Sequence, residues 1–486
     1  MKSLLLLWKE TANELGGWCQ VSTARDFKTV VERSECEGRS FITIALPQFC
    51  SGFEKSLDHG AVVSNSFPGF RYRKGLPRFL GGFLSRIFSE NGCLLPEPDP
   101  DAIQAVRQLT LMFGKINARC SPKREEAALA RFLECEQDVR KNDAMLSPDD
   151  LARFGRVGRL LCSAFFTRID HLVYSGDIVP RHGPGATADG LRANRKFHQT
   201  EWTSRLEALF PLLDNLLPSP RYWGEAQRVC ILEPGRERPV KVVLVPKTLK
   251  TPRVIAIEPT CMQYMQQGLL EAMRDGLESD SLLSKFVSLG DQRPNQDMAR
   301  RGSLTQGLAT LDLSEASDRV SNQLVRELTA CHPWLLQALD ATRSRKAYVL
   351  GKTIRLAKFA SMGSAVCFPI ETLVFLTCVF VGLERSLKRP LRRRDLDDYA
   401  DSVRVYGDDI VVPTHLTNHV IGSLEAYGLK VNRHKSFWTG KFRESCGKEY
   451  YAGHDVSIVR VREFLPLSRR HVQELVSTVA LRNNLF

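Results

Sequence analysis

The sequence predicts an α+β protein built from two or three packed subdomains. Three observations carry that expectation. The chain has 486 residues, more than one hydrophobic core ordinarily organises. Its clearest β-like runs fall after residue 240 and come in hairpin-spaced pairs, which argues against a doubly wound parallel sheet. Its helical patterns occupy separate, longer stretches. Hydrophobic residues make up 43% and charged residues 25%, the balance of a folded chain rather than a disordered one.

Taken in order, residues 1–180 alternate short apolar runs with Gly, Pro, Asn and Asp clusters, and residues 102–118 and 122–140 have helical spacing. PEPDPD at 96–101 reads as a loop, because each proline biases its predecessor away from the α region. RHGPGATADG at 181–190 is a second loop, whose glycines suit either plain turns or a close approach to phosphate. The runs 242–245 and 254–257 predict two strands enclosing PKTLKTPR. A strand is expected at 310–313 with helical spacing after it to 328, then a long helix at 365–387 and two short strands within 403–412. The last pattern, 468–483, places Val472, Leu475, Val476, Val479 and Leu481 at near-helical spacing, so this helix wants a partner surface. No internal repeat or low-complexity tract interrupts the series.

Lysine and arginine number 68 against 55 acidic residues, a net charge of +13. That excess suits a polyanionic partner, because each basic contact to phosphate also releases a counterion. The 13 cysteines are scattered with no C-x-x-C pair, which predicts buried thiols in a reducing compartment and no zinc site. The apolar stretch 366–383 raises a membrane question, but Pro369 and Glu371 interrupt it. A buried helix is the expectation, with no membrane partner.

Five segments carry chemistry. In VRVYGDDIVVP, 403–413, β-branched residues flank Gly-Asp-Asp, and glycine supports a tight hairpin turn that presents Asp408 and Asp409. Two adjacent carboxylates repel, and a divalent cation relieves the repulsion. The bland alternative is a solvated turn. In TLDLSEASDRVS, 310–321, Asp312 ends an apolar strand, and pairing with the hairpin would join three carboxylates. Such a set suits two magnesium ions handling a triphosphate. Asp318 is either a nucleotide contact or a helix-start charge favoured by the dipole. In SMGSAVCFPIETLVF, 361–375, the Ser361–Gly363 loop offers free N–H groups to a nucleotide or phosphate. Glu371 there lies on an apolar helix and needs a partner, an ion pair being the plain one. In KVVLVPKTLKTPR, 241–253, Lys241, Lys247, Lys250 and Arg253 would line a channel for triphosphate or form a solvated basic loop. In GLKVNRHKSF, 428–437, Lys435 is a candidate proton donor to pyrophosphate or a surface lysine.

The order of these pieces decides among the readings. Together with FRESCGKEYYAGHDVSIVRVR at 442–462 and VPKTLKTPRVIAIEP at 245–259, they resemble the replicase catalytic subunit of the single-stranded RNA bacteriophages, the leviviruses. The resemblance is close from 241 to 462 and faint upstream, at HGPGATADG. It implies a right-hand polymerase with fingers, palm and a shortened thumb. The implied boundaries are 1–239 for the N-terminal region and fingers, and 240–300 for a fingers motif with its basic loop. The palm would span 301–441 with a fingers insertion near 325–360, and 442–486 would be the palm–thumb junction and start of the thumb. It implies primer-independent, template-directed RNA synthesis from NTPs, copying a positive-strand phage genome in the host bacterial cytoplasm.

Further implications are two Mg2+ ions, with Mn2+ able to substitute, and the host elongation factors Tu and Ts and ribosomal protein S1 as partners beside the RNA template and product. By the same resemblance Asp312 and Asp408 are the main metal ligands, with Asp409 assisting. Asp318 senses the ribose 2′-hydroxyl, Lys247 and Arg253 bind triphosphate, and Lys435 is the general acid. Lys241, Ser361, Gly363 and Glu371 complete the expected substrate-binding set. Cys367 stands where the family usually has threonine. Only 24 residues follow Arg462, whereas the family usually continues further, so most of the thumb is expected to be missing. Two rivals explain less. A non-catalytic RNA-packaging protein accounts for the charge but not the ordered carboxylates, and a reverse transcriptase usually carries Ala or Met, not Gly, before its two aspartates.

Overall fold

The protein is described by a computed structural model covering residues 1–486 except 64, 218 and 486. Its N-terminal part holds four longer helices, α1 (Lys2–Trp18), α2 (Ala24–Glu37), α3 (Leu46–His59) and α4 (Pro100–Leu111). Their inward faces and the segments between them form an aromatic-rich core, with Trp8, Phe41, Phe49, Phe53 and Phe83 fully buried. This core also takes in Phe437, Phe442, Tyr451, Val456 and Val461. A second, larger core joins α6 (Pro148–Tyr174), which follows α5 (Pro122–Met145), to the elements beyond residue 260. Side chains from residues 1–239 contribute to both of these cores, and Phe132 of α5 to a smaller cluster with Val240, Ala256 and Ala347. The Ser147 hydroxyl caps α6 by accepting from the Asp150 N–H at 3.1 Å, which satisfies one of the free donors of the first turn.

Two sheets position the site. In the first, β1 (Val240–Val245) pairs antiparallel with β2 (Arg253–Ile257). β4 (Lys346–Val349) joins β1 in parallel, and β5 (Lys352–Arg355) closes the sheet, giving the order β2-β1-β4-β5. The expected insertion near 325–360 thus returns to the basic hairpin. In the second, β3 (Leu308–Leu311) pairs antiparallel with β7 (Asp409–Pro413), which pairs with β6 (Arg404–Tyr406). The registers are Leu311↔Ile410 and Tyr406↔Asp409. Every residue of β3 is buried, because helix α7 (Arg293–Thr305) covers the sheet. The mixture of largely antiparallel sheets and segregated helices is the α+β class the sequence predicts.

Helix α8 (Cys367–Leu387) is long and apolar enough to cross a membrane by length and composition. It is instead almost wholly buried against α6 and α9 (Thr417–Ala426). Pro369 falls in its first turn, where no intrahelical N–H is needed. A last hairpin, β8 (Phe442–Ser445) and β9 (Lys448–Tyr451), packs behind the second sheet. Helix α10 (Val472–Leu485) leaves Val472, Val476 and Val479 exposed, while Leu481 packs on the N-terminal core.

Several boundaries differ from the sequence expectation. The helix expected at 102–118 is α4 and ends at Leu111, and α5 runs on to Met145. The segment after Asp312 is not yet helix. Asp318 sits in a short 3-10 turn, Ser317–Arg319, and the next helix is Asn322–Thr329.

Candidate active site

The Tyr406↔Asp409 rung leaves Gly407 and Asp408 as a two-residue turn. Gly407 has φ +57°, a left-handed conformation that glycine adopts without the steric cost of a Cβ. A Cβ there would also stand 2.5 Å from the Phe368 ring. The Gly407 N–H donates to the Thr372 hydroxyl of α8 at 3.2 Å, which ties the turn to the buried helix. Asp408 is exposed at the tip, and Asp409 begins β7 half-buried.

Asp312 follows β3 directly, one position beyond the Leu311↔Ile410 rung, so it stands beside Asp409 across the strand pair. The GLKVNRHKSF segment addresses it repeatedly. The Asn432 side-chain amide donates to Asp312 Oδ2 at 2.8 Å, and the Asp312 N–H donates to the Ser436 hydroxyl at 3.1 Å. Lys435 Nζ lies 3.9 Å from Asp312 Oδ1. Asn432 and Ser436 were not singled out by the sequence, because an ordinary Asn or Ser in a loop carries no distinguishing signal.

The carboxylates oppose one another electrostatically. Burial, then the charge of Asp408, pushes Asp409 up to about 6. Asp312 is also raised, chiefly by burial, with Lys435 offsetting and Asp408 reinforcing the effect. The Lys435 ammonium is favoured above its ordinary value, first by Glu444 and then, against the cost of burial, by Asp312, Asp408 and Asp409. Lys247 is drawn down by burial and by its neighbours Arg253 and Lys435, while Asp408 and Asp312 attract it. Lys247, in the loop between β1 and β2, therefore lies close to the carboxylates.

Three cations unremarked in the sequence, Lys115, Arg460 and Arg462, cluster near Lys435. Lys115 is brought down to about 8 by burial and by Arg460, Lys435 and Arg462.

All candidate donors at the centre are hard oxygens, which suit Mg2+. Among the described residues no three acidic, His or Cys side chains converge into a ready-made cage. That is compatible with Mg2+, which is ordinarily held by one or two carboxylates together with substrate phosphates. The donor chemistry and the mutual repulsion of the carboxylates fit such an ion.

The remaining expected residues divide. Asp318 Oδ1 accepts from the Ser361 hydroxyl at 2.8 Å and from Lys358 Nζ at 3.1 Å, so it is a partnered carboxylate and not merely a helix-start charge. Glu371 is buried and has no basic partner among the described residues. Burial pushes it up to about 8, against a stabilising hydrogen bond to Ser317. The ion pair considered for it is replaced by a proton. Cys367 Sγ lies 3.7 Å from Glu371 Oε2, so its thiol faces this carboxyl. Gly363, with φ +132°, presses on β2, where a Cβ would stand 2.0 Å from the Ala256 carbonyl oxygen. Lys241 pairs with Ile257, four rungs from the Val245↔Arg253 end, about 13 Å along the strand. The structure does not bring it to the carboxylates.

The block FRESCGKEYY, which has no generic explanation in sequence, lies directly behind the centre. Arg443 is fully buried and donates to the Leu308 carbonyl of β3 at 2.6 Å. The Ser445 hydroxyl lies 3.5 Å from Asp409 Oδ1.

Fold and site together define a class: an α+β protein whose carboxylate centre lies on an antiparallel sheet, faced by basic side chains suited to an anionic substrate. The chain belongs to the RNA replicase beta-chain family, whose model matches residues 235–481. The RNA-directed RNA polymerase beta chain of Enterobacteria phage fr is 37% identical over 215 residues, covering 44% of this chain and 36% of that one. The subunit beta of Enterobacteria phage SP is 36% identical over 246 residues, 51% of this chain and 39% of that one. The subunit beta of Qbeta virus strain MX1 is 38% identical over 222 residues, 46% and 35%. The matching stretch thus spans little more than a third of these relatives. Among solved structures, the RNA-dependent RNA polymerase of a human picorbirnavirus aligns with a TM-score of 0.37 and 14% identity, covering 50% of this chain and 52% of that one.

Proposed function

We propose that this chain is the catalytic subunit of an RNA-dependent RNA polymerase that copies a positive-strand RNA phage genome, initiating without a primer. The observation that carries the reading is the meeting of Asp312, Asp408 and Asp409 on one sheet, inside the segment matched by the family. Residues 301–441 act as palm, the four-stranded sheet belongs to the fingers, and 442–486 begin the thumb.

Asp312 and Asp408 hold the metal, with Asp409 assisting. When bound, two Mg2+ ions, or Mn2+ in their place, ease charge on the attacking 3′-oxygen and on the departing pyrophosphate. The chain's own groups do the rest. Lys247 and Arg253 grip the triphosphate from the basic hairpin. Lys435 keeps a proton on Nζ, favoured by the surrounding carboxylates, and passes it to the leaving pyrophosphate. Asp318 accepts a hydrogen bond from the ribose 2′-hydroxyl, held in place by Ser361. Glu371, kept neutral by burial, adds no further negative charge beneath the turn. Host elongation factors Tu and Ts and ribosomal protein S1 complete the complex in the bacterial cytoplasm.

The test is incorporation of labelled NTPs on an RNA template by the purified chain, with and without bacterial extract, across a Mg2+ titration. Template-dependent, Mg2+-dependent RNA product is expected. No product under either condition, or product independent of divalent cation, would overturn the reading.

A further inference from the structure

Lys358 has no role in the reading above, yet its surroundings are unusual. Its side chain is completely buried. A buried ammonium costs several kcal/mol unless paired. Three groups enclose it: Asp318 Oδ1 at 3.1 Å, Glu136 Oε2 at 3.9 Å, and the Phe132 ring with its centroid 3.6 Å away. Phe132 and Glu136 are four residues apart on α5, so they share one face of that helix. Cys135 on the same face directs its Sγ to the Asp318 carbonyl oxygen at 3.4 Å. The other Glu136 oxygen accepts from the Ala357 N–H, next to Lys358 in sequence. Asp318 is thereby held at both its backbone and its side chain.

The detail that matters is which oxygen is used. Lys358 and Ser361 both reach Oδ1. Among the described residues Oδ2 accepts no hydrogen bond, and the Asp318 side chain stays about one-fifth exposed. We infer that Lys358 is a positioning residue, which with Phe132 and Glu136 of α5 locks Asp318 so that Oδ2 faces the sugar of the incoming nucleotide. This rests on the polymerase reading and deepens it. It extends the sugar-selecting device to a helix that lies outside residues 235–481. A carboxylate fixed by one oxygen rejects a nucleotide lacking the 2′-hydroxyl, because its other oxygen is left unpaired. A carboxylate free to turn re-pairs itself and loses that selectivity.

The experiment compares kcat/KM for GTP and dGTP on an RNA template for the parent chain, Lys358→Met, Asp318→Ala and the double variant. Lys358→Met should lower the GTP/dGTP ratio at least about tenfold, and the double variant should fall no further than Asp318→Ala alone, because the two act as one unit. A mere packing role for Lys358 would reduce melting temperature and overall rate and leave the ratio unmoved. If Lys358→Met does not fold, Phe132→Leu and Glu136→Gln loosen the same ammonium while retaining it, and a ratio at least about threefold lower is then expected. A folded variant of any of these three with the parental ratio, beside an Asp318→Ala variant that loses it, would overturn the inference. A parent chain that incorporates no nucleotide at all would instead refute the polymerase reading.

Discussion

Asp312 and Asp318 lie six residues apart in one segment, yet the fold treats them in opposite ways. Asp312 is set among other carboxylates, with Lys435 only at 3.9 Å, and its proton affinity rises. Asp318 is matched to a buried ammonium and a hydroxyl at 3.1 and 2.8 Å. The basic residues divide in the same manner. Lys247 is repelled by Arg253 and Lys435, whereas Lys358 is enclosed by acceptors and an aromatic ring. The difference is instructive. A group left in electrostatic conflict stores a demand that an external ligand satisfies, and a group already satisfied supplies fixed geometry. The conflicted set belongs where metal and phosphates bind, and the satisfied set where a neutral sugar is judged.

The comparison is most easily broken at Asp408. Asp408→Asn should lower nucleotide incorporation on the order of 10³-fold or more, since a lost metal ligand removes stabilisation that is greatest in the transition state. Because Asp408 is exposed, the melting temperature should barely change. A variant with parental incorporation in Mg2+ would remove the metal role. On the satisfied side, Asp318→Ala should leave RNA synthesis measurable while narrowing the rNTP/dNTP ratio on the order of 10²-fold. An unchanged ratio would make Asp318 a structural anchor for Lys358 and nothing more.

The cations give a smaller and distinct effect. RNA affinity should fall about 50-fold between 50 and 200 mM salt if four phosphates are contacted. Lys247→Ala should flatten that dependence by about one contact, because its charge is available to phosphate. Filter-binding isotherms across the salt range would measure the slope, and a salt-independent affinity would contradict a basic channel.

Legibility followed the same division. The conflicted set was visible in sequence because its groups are close in the chain or end recognisable strands. Gly407, Asp408 and Asp409 sit between β-branched runs, and Asp312 closes an apolar one. Of the satisfied set Asp318 and Ser361 stood out in sequence, but the contacts that hold such groups did not, since they span long separations that periodicity cannot encode: Lys358 to Glu136, and Arg443 to Leu308. The placement of Lys241 and Gly363 was hidden for a related reason. A residue type suited to phosphate says nothing about which end of a strand it occupies or which neighbour its backbone must press against. The α+β class was readable from hairpin spacing, whereas the packing of the N-terminal helices on Phe437, Phe442 and Tyr451 was not.

Glu371 represents a third way of settling a carboxylate, and it gives the smallest expected effect. It is buried on α8 close to Asp408 and Asp318, and burial raises it to about 8. Its ordinary value is 4.5, so at neutral pH it is protonated when folded and ionised when unfolded. Folding therefore takes up a proton. Stability from this group is fullest below about pH 4.5 and declines as pH rises, levelling off above about 8. Glutamine resembles the protonated carboxyl in shape and charge but does not titrate. Glu371→Gln should thus change stability by less than about 1 kcal/mol at low pH. Its advantage over the parent should then grow between pH 5 and 8, by roughly 2 kcal/mol once solvent relaxation is allowed for. Thermal melts of both proteins across that range, without divalent cation, measure the difference. Parallel melting curves at every pH would mean that Glu371 is ionised in the folded protein, and that an unpaired charge is tolerated beneath the Gly407 turn.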